Sequence, residues 1–390
     1  MTTHYRAVVI GAGQAGLAAS HELLTRKLRP WHDFVVLDAN DAPGGAWRHR
    51  WDSLTLGRAH GIASLPGLPF GKADETVPAS VVVADYYGDY ERKFGLPVVR
   101  PAPVTRVTSP DGPRRGPLRV EYEHEGARVL TTDVLLNATG TWDNPFVPHV
   151  PGIEGFRGRQ LHTVGYTRAE DFAGQRTLVV GGGLSAVQFL LELEPHTETL
   201  WATRRPPNFT DRGFDAGWGL AVEHAVRERT FAGRPTASVV RTTGIPLWPP
   251  YVDGVERGLL VSRGMIDRIL PDRVRFGAPA GDRAEGLGPA ATDRLVMPAS
   301  WRPFPPGHEE PVDVIFWNTG FRPAMRHLAP LRLRAAGGGV RMADEVTVAD
   351  DDRVYLIGYG STASTVGATR AGRLAGRLVA ERCGISPARP

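Results

Sequence analysis

The sequence has 390 residues, of which 42% are hydrophobic and 23% charged, and its formal net charge is +4. This composition is typical of a globular protein with room for two or three domains, and it excludes a disordered or low-complexity chain. No apolar stretch approaches the roughly 20 residues that span a bilayer. The six residues before the first apolar run leave no space for a signal peptide, so we expect a cytoplasmic protein without a membrane partner.

The basic charge does not indicate a nucleic-acid partner. The isoelectric point is about 9.4, but the arginines are dispersed and form no basic stripe interleaved with aromatic residues. The histidines are equally scattered, and no cluster of His, Cys and carboxylate residues has the spacing of metal ligands. We therefore predict neither a nucleic-acid site nor a metal site.

The first chemical motif is a glycine-rich turn with the pattern GxGxxG, which follows the predicted strand Ala7–Ile10. The first glycine allows a tight turn, the second lets the backbone approach a pyrophosphate, and the third lets the next helix pack on the sheet. That helix points its free N–H groups and its positive dipole end at the phosphates. The residues that we predict to bind a dinucleotide here are Gly11, Gly13, Gln14, Ala15 and Gly16.

A carboxylate completes this motif after the next strand. The run Phe34–Leu37 reads as a buried strand and is followed by Asp38, about 20 residues beyond the turn. An acidic side chain at that place accepts hydrogen bonds from ribose hydroxyls. The alternative is an ordinary surface aspartate. Turn, helix and carboxylate together form the full dinucleotide-binding fingerprint.

A second turn of the same design follows the predicted strand Thr177–Val180, but the strand after it, Thr199–Thr203, has no carboxylate at its end. Two arginines stand there instead. Guanidinium groups hold a 2′-phosphate through charge-assisted hydrogen bonds, whereas a carboxylate would repel it. We predict NADPH as the second nucleotide, with solvated arginines as the alternative. The predicted ligands are Gly181, Gly183, Leu184, Ser185, Ala186, Arg204 and Arg205.

The cysteine content excludes one class of flavoprotein. Cys383 is the only cysteine of the sequence, so there is no disulfide and no Cys-x-x-Cys pair. A two-nucleotide flavoprotein of the disulfide-reductase type needs such a pair to pass electrons from the flavin to its substrate. This chain cannot perform that reaction.

Between the two turns lies a longer motif. Phe156, Gly158, His162 and Tyr166 follow the spacing FxGxxxHxxxY. With this motif, the chain resembles the class B flavoprotein monooxygenases, which include flavin-containing, N-hydroxylating and Baeyer–Villiger enzymes. The other segments that match that family, in the expected order, are Gly44–Trp47 (GGxW), Ala138–Gly140 (ATG), Asn318–Phe321 (TGY/F), and Tyr355–Gly358 with Gly367–Arg370 for the closing flavin-binding strand and helix.

The resemblance implies an α/β fold with two dinucleotide-binding, Rossmann-type domains, in which an NADPH domain is inserted into an FAD domain. The expected limits are 1–152 and 314–390 for the FAD domain and 153–313 for the NADPH domain. Prolines near both predicted domain boundaries favour these limits. Beyond the first turn and its carboxylate, the cofactor ligands implied by the resemblance are Gly44, Gly45, Trp47, Val104, Ala138, Thr139, Gly140, Asn318, Thr319, Gly320, Gly358 and Thr365.

The resemblance also implies the reaction. NADPH would reduce the flavin, O2 would add at C4a, and the resulting hydroperoxide would oxygenate a small substrate containing nitrogen or sulfur. Trp47 is expected to pack at the flavin edge or to be a core residue only, and His162 to brace the segment between the domains. Many N- and S-oxygenating members carry an asparagine where this chain has Gly57, so the group that stabilises the peroxide is left open, with Arg58 and His60 as candidates.

Other functions stay open at this point. Baeyer–Villiger oxygenation is the second choice. The family members that catalyse it usually have Pro or Asp after the tryptophan that closes the motif, whereas in this chain Tyr166 closes it and Thr167 follows. A flavin reductase or NADPH oxidase without oxygen transfer, feeding a protein partner or acting as a redox sensor, is the alternative from another class. Residues 206–302 either shape a substrate channel or pack against a sheet edge. The oligomeric state is undetermined, with a homodimer as one candidate.

Overall fold

The computed structural model of the protein describes residues 2–59, 61–211, 226–236, 244–278 and 295–384. The strands are β1 (Thr3–Ile10), β2 (Phe34–Leu37), β3 (Val98–Val99), β4 (Val104–Thr108), β5 (Leu118–Glu123), β6 (Ala127–Asn137), β7 (Arg159–His162), β8 (Arg176–Val180), β9 (Glu198–Ala202), β10 (Phe209–Thr210), β11 (Ile245–Pro246), β12 (Ile266–Ile269), β13 (Arg273–Phe276), β14 (Glu309–Pro311), β15 (Val314–Trp317) and β16 (Val354–Leu356). The helices are α1 (Gln14–Thr25), α2 (Ala79–Phe94), α3 (Leu184–Leu193), α4 (Pro249–Glu256) and α5 (Thr365–Arg382).

Internal contacts divide the chain into two compact units. Unit 1 comprises Met1–Asp143, Glu223–Thr236 and Pro323–Pro390, and unit 2 comprises Asn144–Val222 and Ala237–Arg322. Strand β15, which we expected to open the second FAD segment, belongs to unit 2. The insertion of an NADPH domain into an FAD domain, with limits at 152 and 313, stays a prediction.

Unit 1 is built on a mainly parallel sheet with the strand order β3-β2-β1-β6-β5-β4, and β16 pairs with the last residues of β6. Strands β1, β2, β3, β6 and β16 run parallel, whereas β4 and β5 are antiparallel additions. The centre of the sheet is apolar on both faces because both are covered. Val9 and Val36 face a core shared with α1, α2 and α5, while Val8 and Val35 face a second core.

Helices α1 and α5 pack at short range because glycines of α5 face α1. A Cβ atom at Gly372 would lie 2.6 Å from the carbonyl oxygen of Ala15. A Cβ at Gly376 would lie 2.9 Å from the carbonyl oxygen of Ala19. The C-terminal helix is therefore fixed against the helix that follows the first glycine turn.

Unit 2 contains the parallel sheet β7-β15-β8-β9, the antiparallel sheet β12-β13-β14 and the short pair β10-β11. Both main sheets of the protein therefore have the parallel strands that the α/β prediction requires. None of the described helices is both long and apolar enough to cross a membrane. Among the described residues, no group of three His, Cys, Asp or Glu side chains is placed to hold a metal ion.

The FxGxxxHxxxY motif is part of the packing of unit 2. A Cβ atom at Gly158 would lie 2.3 Å from the carbonyl oxygen of Asp313 and 2.6 Å from the ring of Phe156. Tyr166 is buried and stacks on Phe316, with ring centroids 5.7 Å apart. The packing of unit 2 therefore explains why the motif has a glycine at position 158 and an aromatic residue at position 166.

Candidate nucleotide-binding sites

The first glycine turn lies between β1 and α1, and α1 begins at Gln14, as predicted. Gly11 has a φ of +97°, and a Cβ there would lie 2.6 Å from the carbonyl oxygen of Ala138. A Cβ at Gly16 would lie 1.9 Å from the carbonyl oxygen of Gly11. Both positions require glycine for the packing of the protein itself.

Gly13 is different, because space is open in front of it. A Cβ there would meet nothing nearer than the Cα of Gly45, at 3.9 Å, and its φ of −87° suits any residue. An open position at the N-terminus of α1, where free N–H groups face outward, fits a pyrophosphate. Gly44 and Gly45 have φ values of +124° and +53°, and a Cβ at Gly45 would lie 2.9 Å from the Cα of Gly13. The GGxW segment thus packs directly on this turn.

The side chain of Gln14 is engaged within the protein. Its Nε2 donates hydrogen bonds to the carbonyl oxygen of Ala63 at 2.8 Å and to Oγ1 of Thr369 at 2.7 Å. Its Oε1 accepts a hydrogen bond from the Tyr87 hydroxyl at 2.5 Å. Ala15 beside it is buried. A cofactor contact at these two positions would therefore be made by the backbone.

Asp38 stands at the end of β2 with 4% of its surface exposed. Its Oδ2 accepts a hydrogen bond of 2.6 Å from Nε of Arg100, whose two terminal nitrogens pair with both oxygens of Glu91 at 2.6 Å. Burial would lower the pKa of Arg100, but these ion pairs raise it. The Oδ1 atom accepts only long contacts, 3.4 Å from the Ala12 amide and 3.3 Å from Asn40, and so can accept a ribose hydroxyl. Arg100 and Glu91 were not predicted from the sequence.

The ATG segment follows β6 and lies beside the first turn. Ala138 is buried, and its carbonyl oxygen is the group that excludes a side chain at Gly11. Oγ1 of Thr139 donates to the carbonyl oxygen of Ala324 at 2.7 Å. Gly140 has a φ of +63°, and its carbonyl oxygen accepts the Ala324 amide at 2.9 Å. This segment is held in one conformation by its own neighbours in unit 1.

The remaining predicted FAD ligands of unit 1 are spread over three elements. Gly358 follows β16 with a φ of +75° and open space where a side chain would be. Thr365 begins α5, and its Oγ1 donates to the carbonyl oxygen of Gly61 at 3.1 Å. Val104 begins β4, in the antiparallel part of the sheet.

Two of the three candidate catalytic residues of unit 1, Trp47 and Arg58, lie on short 3-10 helices of the described structure. Trp47 is half-buried in the short 3-10 helix Gly45–His49 and packs against the core that contains α1, α2 and α5. Arg58 is exposed, and its guanidinium donates a long hydrogen bond of 3.5 Å to the carbonyl oxygen of Ser53. His60 lies outside the described residues.

The second glycine turn lies between β8 and α3. Gly181 has a φ of +148°, and a Cβ there would lie 2.2 Å from the carbonyl oxygen of Asn318. The Asn318 amide donates to the carbonyl oxygen of Val180 at 2.7 Å. The carbonyl oxygen of Gly181 accepts the indole N–H of Trp201 at 2.7 Å. The predicted FAD ligand Asn318 therefore lies against the second turn, in unit 2.

Helix α3 begins after Gly183 and starts with Leu184, half-buried, Ser185, exposed, and Ala186, buried. A Cβ at Gly182 would lie 3.8 Å from Cγ2 of Thr203, so the end of β9 lies beside the turn, as it does in dinucleotide sites.

The two predicted 2′-phosphate ligands follow β9. The side chain of Arg204 is exposed, and Arg205 is half-buried. The Thr203 hydroxyl donates to the carbonyl oxygen of Arg205 at 2.6 Å, which fixes the backbone between them. An exposed guanidinium next to the second turn fits the phosphate that distinguishes NADPH from NADH.

His162 is a structural group of unit 2. Its Nε2 donates to the carbonyl oxygen of Gly320 at 3.0 Å, and its ring packs edge-on against Phe321. Its Nδ1 is buried and has no hydrogen-bond partner in the described part of the chain. Burial lowers the pKa of His162, which favours the neutral ring. The Thr319 hydroxyl donates to the carbonyl oxygen of Phe146, so this whole segment is held within unit 2.

Comparisons with known proteins match more than half of this chain. Residues 8–216, more than half of the chain, match the pyridine nucleotide-disulphide oxidoreductase family. The solved structure of a flavin-containing monooxygenase from Stenotrophomonas maltophilia aligns with 98% of this chain and 100% of its own, at 33% identity and a TM-score of 0.73.

Two curated relatives each match about half of the chain. Indole-3-pyruvate monooxygenase YUCCA1 of Oryza sativa subsp. japonica is 35% identical over 191 residues, which are 49% of this chain and 45% of that protein. A Baeyer-Villiger monooxygenase of Streptomyces coelicolor is 30% identical over 207 residues, 52% of this chain and 38% of that protein. The chain spans about half the length of the curated relatives it matches.

The predicted resemblance to flavoprotein monooxygenases is thereby confirmed, and the family supports FAD and NADPH as the cofactors. The chain belongs to the pyridine nucleotide-disulphide oxidoreductase family and, within it, to the flavin-containing monooxygenases.

Proposed function

We propose that this protein uses FAD, NADPH and O2 to oxygenate a small nitrogen- or sulfur-containing nucleophile through a C4a-hydroperoxyflavin. The observation that carries the proposal is the pair of glycine turns, one in each unit, each between the buried carboxyl end of a parallel strand and the N-terminus of a helix. Bound FAD would accept the hydride and activate O2, and the protein would bind and orient the reactants.

In unit 1, the residues present fit a flavin dinucleotide. The open space at Gly13 and the N–H groups of α1 suit its pyrophosphate. The Oδ1 atom of Asp38, which accepts only long hydrogen bonds from the protein, suits a ribose hydroxyl, because Arg100 holds the other oxygen of that carboxylate and is itself held by Glu91. The pair therefore pre-organises the carboxylate for the cofactor.

In unit 2, the residues present fit NADPH. The turn at Gly181 leads into α3, whose first N–H groups suit the second pyrophosphate. Arg204 offers an exposed guanidinium to the 2′-phosphate at the end of β9, with Arg205 beside it. His162 keeps the segment that packs against this turn in position through its hydrogen bond to Gly320.

Baeyer–Villiger oxygenation is the second candidate, because the Streptomyces coelicolor relative carries that name. A thiol relay is a poorer explanation, although the family description includes disulphide reduction. Cys383 is the only cysteine in the sequence, and burial raises the pKa of its thiol, which disfavours the reactive thiolate.

The test is a stopped-flow experiment on the FAD-loaded protein. The enzyme is reduced with NADPH without oxygen and mixed with O2, with and without added NADP+. We expect an absorbing oxygenated flavin that lives longer with NADP+, and isotopic oxygen from labelled O2 in the sulfoxide or N-oxide of a thioether or amine. Cys383→Ser is the control and is expected to keep full turnover.

Other results would contradict the proposal. Direct reoxidation of the flavin, with all consumed O2 recovered as hydrogen peroxide, would favour an oxidase or reductase. Labelled oxygen in the ester formed from a ketone, with none in thioether or amine products, would favour the Baeyer–Villiger candidate.

A further inference from the structure

Arg50 is a largely buried arginine that no described residue neutralises. Its Nε is buried and has no hydrogen-bond partner among the described residues. Burial lowers its pKa to about 10, and no neighbouring carboxylate counters this effect. An unpaired charge in a protein interior costs several kcal/mol unless another group compensates it. Arg50 is therefore not explained by the packing of unit 1 alone.

Two other buried arginines of unit 1 show how this protein usually handles such a charge. Arg100 pairs with Asp38 and with both oxygens of Glu91. Arg353 pairs with Asp351 at 2.7 Å. Each of them has a protein carboxylate at contact distance, and Arg50 has none in the described part of the unit.

The place of Arg50 points to the flavin site. The central carbon of its guanidinium lies 4.0 Å from the ring centroid of Trp142 and 5.7 Å from that of Trp47. Trp47 belongs to the GGxW segment, and Trp142 follows the ATG segment by two residues. Both segments pack on the first glycine turn, through Gly45 and Ala138. Arg50 therefore joins the two segments that are predicted to hold the flavin.

The two tryptophans do not offset the free-energy cost of burying this cation. A cation–π contact is worth about 0.5–2 kcal/mol, which is less than the cost of burying an unpaired charge. A guanidinium stacked on an indole ring still has its planar fork of N–H donors free in its own plane, and that fork matches the two ends of a delocalised oxyanion. A ligand with such a group supplies what the protein lacks.

We propose that Arg50 is an anion-binding residue of the flavin site, whose partner is a delocalised negative charge on a bound ligand. Two sources share this chemistry: the N1 and C2=O end of the reduced flavin, and the carboxylate of a substrate. The inference rests on the proposed function, since it requires FAD in unit 1. It assigns to Arg50 a role that neither the glycine turns nor Asp38 can fill.

The first arm of the test uses sulfite, which forms a bond from its sulfur to flavin N5, reduces the ring by two electrons and leaves a negative charge at N1. The variants are Arg50→Met, which removes the charge, and Arg50→Lys, which keeps it. Arg92→Met is the matched control, because Arg92 is exposed on α2 and pairs with Asp89. If the flavin is the anion, Arg50→Met weakens sulfite binding by about tenfold or more, a difference of about 1.4 kcal/mol.

In the same arm, Arg50→Lys changes the sulfite affinity by less than about threefold, and Arg92→Met leaves it unchanged. The midpoint potential of the flavin, measured by reductive titration, falls in Arg50→Met only, because the reduced anion loses its neighbouring cation. Neither readout depends on turnover.

The second arm uses phenylacetate and phenylacetamide as paired inhibitors. If a substrate carboxylate is the anion, Arg50→Met raises the inhibition constant of phenylacetate by about tenfold or more and leaves that of phenylacetamide unchanged. The sulfite affinity then stays at the wild-type value. The expected result in either arm supports the proposal and identifies the source of the negative charge.

The proposal is overturned if Arg50→Met behaves like Arg92→Met in both arms. If Arg50→Met does not retain FAD, the Arg50→Lys variant is the test. An Arg50→Lys protein that retains FAD and has near wild-type sulfite affinity supports a charge-binding role. Loss of FAD from both variants, with the same fall in thermal midpoint, makes the residue purely structural and overturns the proposal. A wild-type protein that binds no FAD would instead contradict the proposed function itself.

Discussion

The glycines of the first turn, though they share one sequence pattern, have different physical roles. Gly11 and Gly16 are required by the protein, because a Cβ at either place would lie within 2.6 Å of a carbonyl oxygen. Gly13 is not required by the protein, because the nearest atom to its Cβ would be 3.9 Å away. Gly13 is therefore the glycine of this turn that we expect to face the cofactor.

We expect Gly13→Ala to leave the thermal midpoint of the FAD-free protein unchanged and to weaken FAD binding by about tenfold or more, because the new methyl group occupies the space nearest the pyrophosphate. Gly16→Ala is the matched variant and should destabilise the FAD-free protein by about 1–3 kcal/mol. Thermal unfolding and FAD titration by flavin fluorescence measure the two effects. A similar loss of midpoint in both variants would contradict the assignment.

The sequence predicted the residues of local motifs and missed their distant partners. Asp38 was found because it follows a strand and a glycine turn at a known spacing. Arg100 lies 62 residues further on, and nothing in the sequence around it marks it as the partner of that carboxylate. Arg50 was missed for the same reason, since its isolation becomes evident only when its burial and its neighbours are known.

Among the elements, the buried strands were predictable and the exposed parts of strands were not. β2 runs from Phe34 to Leu37, as predicted. β1 begins at Thr3, well before the apolar run at Ala7, because its first residues pair with β6 but stay largely exposed. Hydrogen bonding to a neighbouring strand leaves no hydrophobic pattern in the sequence.

Because α1 and α5 are in close contact, we expect a glycine-to-alanine substitution in α5 to have the opposite of its usual effect on stability. Replacing glycine by alanine in a helix ordinarily stabilises it by up to about 1 kcal/mol. Gly372→Ala should instead lower the free energy of unfolding by about 1–3 kcal/mol, because its Cβ would lie 2.6 Å from the Ala15 carbonyl oxygen. Chemical denaturation of the FAD-free protein measures this difference.

Gly88→Ala in α2 is the control for that prediction. The nearest atom to its Cβ would be the flexible end of the Arg92 side chain, at 3.3 Å, so this variant should be neutral or slightly more stable. If Gly372→Ala is as stable as Gly88→Ala, the two helices are not as closely packed as described.

At the scale of the whole molecule, the two predicted nucleotide sites lie in different units, so each can be altered separately. The double substitution of Arg204 and Arg205 by alanine should raise the Michaelis constant for NADPH by about tenfold or more, because each charge-assisted hydrogen bond to the 2′-phosphate contributes roughly 1.5–3 kcal/mol. NADH is the internal control, since it has no 2′-phosphate. FAD content should stay at the wild-type level. Equal losses with both nucleotides would contradict the predicted specificity.

Unit 1 is assembled from both ends of the described chain. β16 and α5 come from residues 354–382, yet they complete a sheet and a helix pair that start at Thr3 and Gln14. During synthesis, the described strands of unit 2, which end at Trp317, have all left the ribosome before α5 exists. The strands of unit 2 are therefore translated between the two parts of unit 1, and α1 keeps the surface that contacts α5 uncovered until residues 365–382 have been translated.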